Sequence, residues 1–403
     1  FFALPPGVVY LDGNSLGALP HAARERVLQV LVHEWGEGLI RSWNAARWID
    51  LPQRVGAKIA RLIGAQPDEV ICADSTSINL FKVLTTALRM QASRPQVSVD
   101  QRNVIVSEKA NFPTDLYVAQ GLIDLLGQGH ELKLVEFDDA ADAIDDRTAV
   151  VMLTHVNYKT GAMHDMNALT RCAHNAGALM VWDLSHSAGA VPVALNTAAA
   201  DFAVGCGYKY LNGGPGAPAF VFVASRHLSA MADDTYAQPL AGWLGHHAPF
   251  DFLAHYRPAT SIDRYAVGTP SIVAMSALDV GVDTVLGAGI DALRVKSIAL
   301  TQLFIGLVEQ YCAGQGLSLA SPRDAERRGS QVCFSHPHAY AVMKALIKRG
   351  VIGDFRAPDI LRFGFAPLYV GYADVWDAVQ ALNQVLAKRE WQHAEFQTRE
   401  AVT

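Results

Sequence analysis

The chain has 403 residues, more than one hydrophobic core usually supports, so two packed lobes are expected. Hydrophobic residues make up 51% and charged ones 18%, a balance that folds a globule and excludes a disordered chain. Against 39 acidic residues stand 33 basic ones, without any block of like charge, and this speaks against nucleic acid or an anionic membrane as a partner.

The first residues, Phe-Phe-Ala-Leu-Pro-Pro, lack the basic start and apolar run of a secretory signal, and the missing initiator methionine suggests a trimmed start. A cytoplasmic location is the simplest expectation. Residues 1–45 carry Gly, Pro and Trp but little regular strand pattern, and are expected to form an arm that packs on the lobes. From about 69 to 225, short β-rich runs at 69–73, 103–107, 131–137, 149–154, 178–183, 201–205 and 218–223 alternate with helical patterns. Helices are expected to begin near Ser77, Pro113 and Asp165, the second with proline in its first turn and the third opened by an acidic residue. That alternation predicts an α/β fold whose largely parallel sheet is covered by helices, in a large lobe over 46–270. Beyond Gly268-Thr269-Pro270 a long helix is expected from Ser271, followed by helices and short strands at 331–335 and 360–365, which make 271–403 a smaller α+β lobe. The longest apolar runs, 149–153 and 178–182, fall far short of the roughly 20 residues of a spanning helix. Five scattered cysteines without a Cys-x-x-Cys pair predict buried, reduced thiols and no zinc site.

In sheets of this kind ligands sit beyond the carboxyl ends of the strands. Ala178-Leu-Met-Val-Trp-Asp183 ends there in a carboxylate, followed by Ser185 and His186. One crossover later, Cys206-Gly207-Tyr208-Lys209-Tyr210-Leu211-Asn212-Gly213-Gly214 wraps an isolated lysine in glycine-rich chain. Surroundings so poor in other charge can lower an amine's pKa and ready it as nucleophile and base. Asp74-Ser75-Thr76-Ser77-Ile78-Asn79 lies at a strand-to-helix junction, where amides and hydroxyls converge at the positive end of a helix dipole. A lysine that links to an aldehyde, a carboxylate for a pyridinium nitrogen and a phosphate cradle are what pyridoxal 5'-phosphate requires. Singly, each has a plainer reading as a solvated lysine, a turn aspartate and an ordinary helix cap. Their joint placement carries the inference.

Tyr10-Leu-Asp-Gly-Asn-Ser-Leu-Gly17, Thr76-Ser-Ile-Asn-Leu80, Asn111-Phe-Pro-Thr-Asp115, Thr154-His-Val-Asn-Tyr-Lys-Thr-Gly161, Trp182-Asp-Leu-Ser-His-Ser-Ala-Gly189, Gly207-Tyr-Lys-Tyr-Leu-Asn-Gly-Gly-Pro-Gly216, Gly242-Trp-Leu-Gly-His246 and Leu361-Arg-Phe-Gly-Phe365 together resemble the kynureninases. These are fold-type I pyridoxal-phosphate enzymes related to the class V aminotransferases. The resemblance implies hydrolytic Cβ–Cγ cleavage of L-kynurenine to anthranilate and L-alanine, in tryptophan catabolism. It implies that Lys209 links to the cofactor and that Tyr208 binds the phosphate and relays a proton. Thr76 and Ser77 would hold the phosphate, and Phe112 would lie against the ring, with Pro113, Thr114 and Asp115 continuing that wall. Asp115 and Thr154 would bond around the ring oxygen, Asp183 would pair with the ring nitrogen, and His186 would lie beside the cofactor. Trp243 and Thr269 would reach the phosphate of the partner subunit, which implies a homodimer with shared sites. Arg362 would fork the substrate α-carboxylate, and Trp43 with Gly268 would line the pocket for its aromatic ring, favouring L-kynurenine over its 3-hydroxy derivative. Thr269 stands where some relatives carry asparagine. Rival reactions on the same scaffold are desulfuration, which needs a cysteine on a mobile loop, and transamination; a non-catalytic binding protein is the rival from another class.

Overall fold

The computed structural model describes residues 1–93, 102–232 and 237–400. Its strands are β1 (Val9–Tyr10), β2 (Val70–Cys72), β3 (Val104–Glu108), β4 (Glu131–Val135), β5 (Thr148–Thr154), β6 (Leu179–Asp183), β7 (Phe202–Gly205), β8 (Phe220–Val223), β9 (Ser318–Leu319), β10 (Gln331–Ser335), β11 (Val351–Ile352), β12 (Asp354–Arg356) and β13 (Ile360–Gly364). Its α-helices are α1 (His21–Gln29), α2 (Ser42–Ala45), α3 (Leu51–Leu62), α4 (Thr76–Ala92), α5 (Pro113–Leu126), α6 (Met166–Asn175), α7 (Ser225–Ala230), α8 (Ile272–Ala288), α9 (Ile290–Tyr311), α10 (Ala339–Lys348) and α11 (Tyr372–Ala387).

The large sheet runs β2-β8-β7-β6-β5-β3-β4. Neighbours from β7 to β4 are parallel, whereas β8 is antiparallel to both β7 and β2. Two reversals restore direction, so β2 points the same way as β7. The carboxyl ends of β2, β3, β5, β6 and β7 therefore share one edge of the sheet. Apolar side chains of these strands enter two cores, one on each face, which is why their sequences read as continuous Val, Ile, Leu and Phe rather than alternating.

The smaller sheet, β12-β13-β10-β9, is antiparallel and packs its own core with α9, α10 and α11. The division expected at residue 271 cuts α8 away from the core it fills. Met275, Leu278, Val282 and Val285 of α8 belong to the large-lobe cluster, while Leu300, Phe304, Ile305 and Val308 of α9 belong to the small-lobe cluster. The two helices meet at Gly289 with a 79° bend. No single helix among the described residues is long and apolar enough to cross a membrane.

Residues 1–45 carry more regular structure than expected: β1 pairs with β11, and α1 continues through π-helical turns over Val30–Gly38. The arm then reaches the lysine loop, where Gly17 N donates to Tyr208 O at 2.8 Å. A Cβ on Gly17 would lie 2.3 Å from Lys209 O, so only glycine permits this approach. Residues 401–403 lie outside the described residues.

Between β6 and β7, Asp201 accepts from His174 Nε2 (2.8 Å), His227 Nε2 (2.6 Å), Arg226 Nη2 (2.7 Å) and Met180 N (2.7 Å) while almost fully buried. Burial pushes its carboxyl up, but the bonds from His174, His227 and the Met180 amide outweigh it and hold the pKa well below the ordinary value. A depressed folded pKa gives stability that is present above the unfolded carboxylate pKa of about 3.9 and lost as pH falls through the folded value. In acid titrations followed by circular dichroism, Asp201→Asn is expected to be less stable than wild type near neutrality and to lose less stability below about pH 4. Parallel acid curves for the two proteins would refute this role.

Candidate active site

Four neighbouring strand ends bring the expected residues together. β6 ends in Asp183, β5 ends in Thr154, β7 leads into Lys209, and β3 leads into Asn111 and Phe112, which open α5 and place Asp115 in its first turn. Asp183 Oδ1 is fixed by Ser185 N at 2.7 Å. Burial pushes the Asp183 carboxyl up, opposed by the Ser185 bonds and the Lys209 charge. Asp115 is raised further, first by burial and then by the Asp183 charge, so Asp115 is the member of the pair that keeps its proton.

Lys209 Nζ lies 2.9 Å from His186 Nε2. Burial lowers the pKa of Lys209. The His186 pKa is driven well down by burial and by the Lys209 charge, so its neutral ring accepts from the amine. Tyr208 is pushed up by burial, then by Cys206 and Asp183, and its hydroxyl therefore stays protonated.

Asn111, quoted in the motif but given no role, is a hub. Its Nδ2 donates to Ser107 Oγ (3.1 Å), and its Oδ1 accepts from Phe112 N (2.7 Å) and from the Thr154 hydroxyl. Pro113 and Thr114 stand half-buried in the first turn of α5, and Phe112 is 42% exposed, edge-on to Tyr158 at 5.2 Å. On β2's side of the same edge, Asp74 has left-handed backbone (φ 45°) and its carboxylate pairs with buried Lys82. Thr76 and Ser77 follow in the first turn of α4, and their hydroxyls make no hydrogen bond among the described residues.

Several features ask for a ligand. Asp115 Oδ2 and His186 Nδ1 are buried without a partner. Phe112 offers an apolar ring, and Thr76 and Ser77 offer free hydroxyls at a helix N-terminus. These residue types, two carboxyls, an amine, an apolar ring and helix-terminal hydroxyls, suit an aromatic ring that carries a carbonyl and an anionic arm.

Arg362 departs from expectation. It is buried, and its fork is already engaged: Nε donates to Asp354 Oδ1 at 2.7 Å and Nη2 to Asp354 Oδ2, while Nη2 also meets Ser15 Oγ (2.6 Å) and Nη1 meets Tyr158 O (2.7 Å). The cause is register, since Asp354 on β12 pairs directly with Arg362 on β13. One Nη1 hydrogen remains for a substrate, in place of the bidentate fork expected. Cys333 also lies opposite Arg362, on β10. Burial pushes that thiol up to about 12, which makes it no nucleophile.

Residues 293–382 match the family model of the kynureninase C-terminal domain. Over all 403 residues the chain is 57% identical to a kynureninase of Burkholderia mallei and 56% identical to one of Pseudomonas fluorescens, covering 100% of this chain and 95% of each relative. The chain belongs to the kynureninase family. Solved structures of like fold include an apo cysteine desulfurase from Thermococcus onnurineus (TM-score 0.77, 19% identity, covering 94% of this chain and 95% of that one) and the cysteine desulfurase CsdA from Escherichia coli (0.72, 22%, 96% and 97%). The fold-type I architecture expected from the motifs is thus the observed one.

Not every residue expected of a kynureninase joins the lysine cluster. Trp43 packs edge-on against Trp48 at 6.2 Å. Trp243 sits among exposed Phe250 and Phe252, with ring centroids 5.7 and 6.4 Å away. Gly268 and Thr269 are exposed and line a cavity of about 220 Å³ together with Asp74 and Pro52. Among the described residues, no hydrogen bond or ring contact ties these four to Asp183 or Lys209.

Proposed function

We propose that the protein is a pyridoxal 5'-phosphate-dependent kynureninase that hydrolyses L-kynurenine to anthranilate and L-alanine. The observation that carries this reading is the buried cluster of Lys209, His186, Asp183 and Asp115 within a chain 57% identical to curated kynureninases. When bound, pyridoxal phosphate supplies an electron sink for bond breaking at Cα and Cβ. Asp183, supported by the Asp115 proton, holds a proton at the ring nitrogen. Phe112 covers the ring, and the Thr154 hydroxyl turns from Asn111 Oδ1 to bond at the ring oxygen. Thr76, Ser77 and Tyr208 bind the phosphate, and His186 orients Lys209. Lys209 Nζ anchors the cofactor, then takes the proton from substrate Cα, a task helped by the lowered pKa that burial gives it. Tyr208, kept protonated, donates toward Cβ as anthranilate leaves after water adds to the γ-carbonyl.

The test is direct: protein loaded with the cofactor and given L-kynurenine should release anthranilate and L-alanine in equal amounts. Sulfur release from cysteine without any anthranilate would instead favour desulfuration.

The homodimer belongs to the same reading. Trp243 and Thr269 serve the partner's phosphate, which fits their separation from the chain's own Lys209, and Trp43 and Gly268 serve the pocket for the aromatic ring. Exposed Trp35, Leu39, Ile40, Phe250, Phe252 and Leu253 supply the apolar surface a subunit contact requires. Mixing an inactive Lys209→Ala protein with an inactive Trp243 and Thr269 double variant is expected to restore activity through hybrid dimers. No recovery, with subunit exchange verified by mass spectrometry, would mean self-contained sites. The lobe division of this reading keeps the arm at 1–45 and moves the junction from 271 to Gly289. A cytoplasmic role in tryptophan catabolism fits five cysteines free of disulfides.

A further inference from the structure

Around Arg362 lies a buried charge cluster larger than one carboxylate receptor requires. Arg356, two residues after Asp354 on β12, sends Nη2 to Asp354 Oδ2 at 2.6 Å and comes within 3.5 Å of Ser15 Oγ. Both guanidiniums therefore share one carboxylate oxygen and one hydroxyl. Arg362 spends four of its five donors on Asp354, Ser15 and Tyr158 O. Arg356 is far less committed: its Nε is buried without a partner, and its side chain remains 36% exposed. Its positive charge bears on Lys209, His186 and Tyr208, so it stands within electrostatic reach of the reacting centre.

Two guanidiniums face the carboxyls of Asp354 and Asp12, and the Asp12 carboxyl is pushed up to about 7 by burial and by the Asp354 charge, so it carries only part of its charge near neutral pH. Arg356 Nε is buried in this cluster without a partner, and an open cationic donor of this kind calls for an anion.

We propose that Arg356 is a second carboxylate-binding residue: the substrate α-carboxylate is shared between Arg356 and the one open donor of Arg362, which Asp354 holds in place. Arg356 thus determines specificity for α-amino acids that carry a free carboxylate, and Asp354 is a positioning residue. This rests on the amino-acid-cleaving reading above. It departs from a single-arginine fork because the Arg362 fork is already filled.

Isothermal titration of the cofactor-loaded enzyme with L-alanine and with L-alaninamide, which lacks the negative charge, separates the possibilities. Arg356→Gln is expected to weaken L-alanine binding by roughly 10- to 100-fold, the range of a lost charge-assisted hydrogen bond, and to leave alaninamide binding nearly unchanged. Arg356→Lys should recover part of the L-alanine affinity, and by falling short of wild type for that ligand alone it supports the assignment even if Arg356→Gln does not fold. Equal losses for both ligands, or no loss for L-alanine, would overturn the assignment and leave the enzyme reading intact. Wild type that binds neither ligand would overturn both.

Discussion

Replacing Lys209 with alanine is expected to lower kcat by roughly a thousandfold or more, because one amine supplies both the covalent anchor and the Cα base. General base catalysis alone is worth roughly 10²–10⁴-fold, and the loss of nucleophilic anchoring adds to it. The companion measurement is chemical: borohydride reduction of the loaded wild type, followed by peptide mapping, should mark Lys209. Burial leaves this amine with a lowered pKa beside neutral His186, whereas Lys82, also buried, is tied to Asp74, Asn79 Oδ1 and Tyr265 O and cannot turn to a ligand. A mark on Lys159 or Lys82 would place the anchor elsewhere. His186→Ala should show a milder defect, since Lys209 would keep its place at the end of β7 and lose only the ring that aims it.

What could be read from the chain beforehand was whatever is local. Buried parallel strands announce themselves as short apolar runs, so the large-sheet strands were found to within a few residues, and Asp165 caps its helix as expected, accepting from Ala168 N at 2.9 Å. That Asp183, Lys209 and Thr76 stand at or just beyond strand ends on one edge of the sheet was legible, because each closes or follows a short apolar run. The antiparallel insertion of β8 was not legible, since pairing direction depends on partners remote in sequence. The Asp354–Arg362 clamp was missed for the same reason. Asp-x-Arg followed by a turn and a strand has no distinctive composition, and only the register of β12 against β13 sets the carboxylate opposite the guanidinium. The lobe junction was misjudged because Gly268-Thr269-Pro270 is a strong turn signal, while the apolar face of α8 does not say which core it enters.

The clamp sharpens what Arg362→Lys should do. A lysine offers a compact charge on a flexible stem and cannot hold Asp354 through two parallel bonds while also reaching Ser15 Oγ and Tyr158 O. Two effects should appear together. The lost donor toward the substrate is expected to lower kcat/KM for L-kynurenine by roughly 30- to 150-fold, about 2–3 kcal/mol, with KM carrying much of the change. The buried Asp354 would keep only Arg356 as a strong partner, and the melting temperature should fall as well, by less than after outright removal of a buried ion-pair partner, which costs about 3–5 kcal/mol. Cofactor affinity should change little, because Thr76, Ser77, Asp183 and Lys209 lie at or just beyond the carboxyl ends of large-sheet strands, whereas β12 and β13 belong to the small sheet. Kinetics taken well below the variant's melting temperature separate the two losses. If kcat/KM stayed at the wild-type value while stability dropped, Arg362 would be a structural clamp alone, and the carboxylate would have to be read by Arg356 without it.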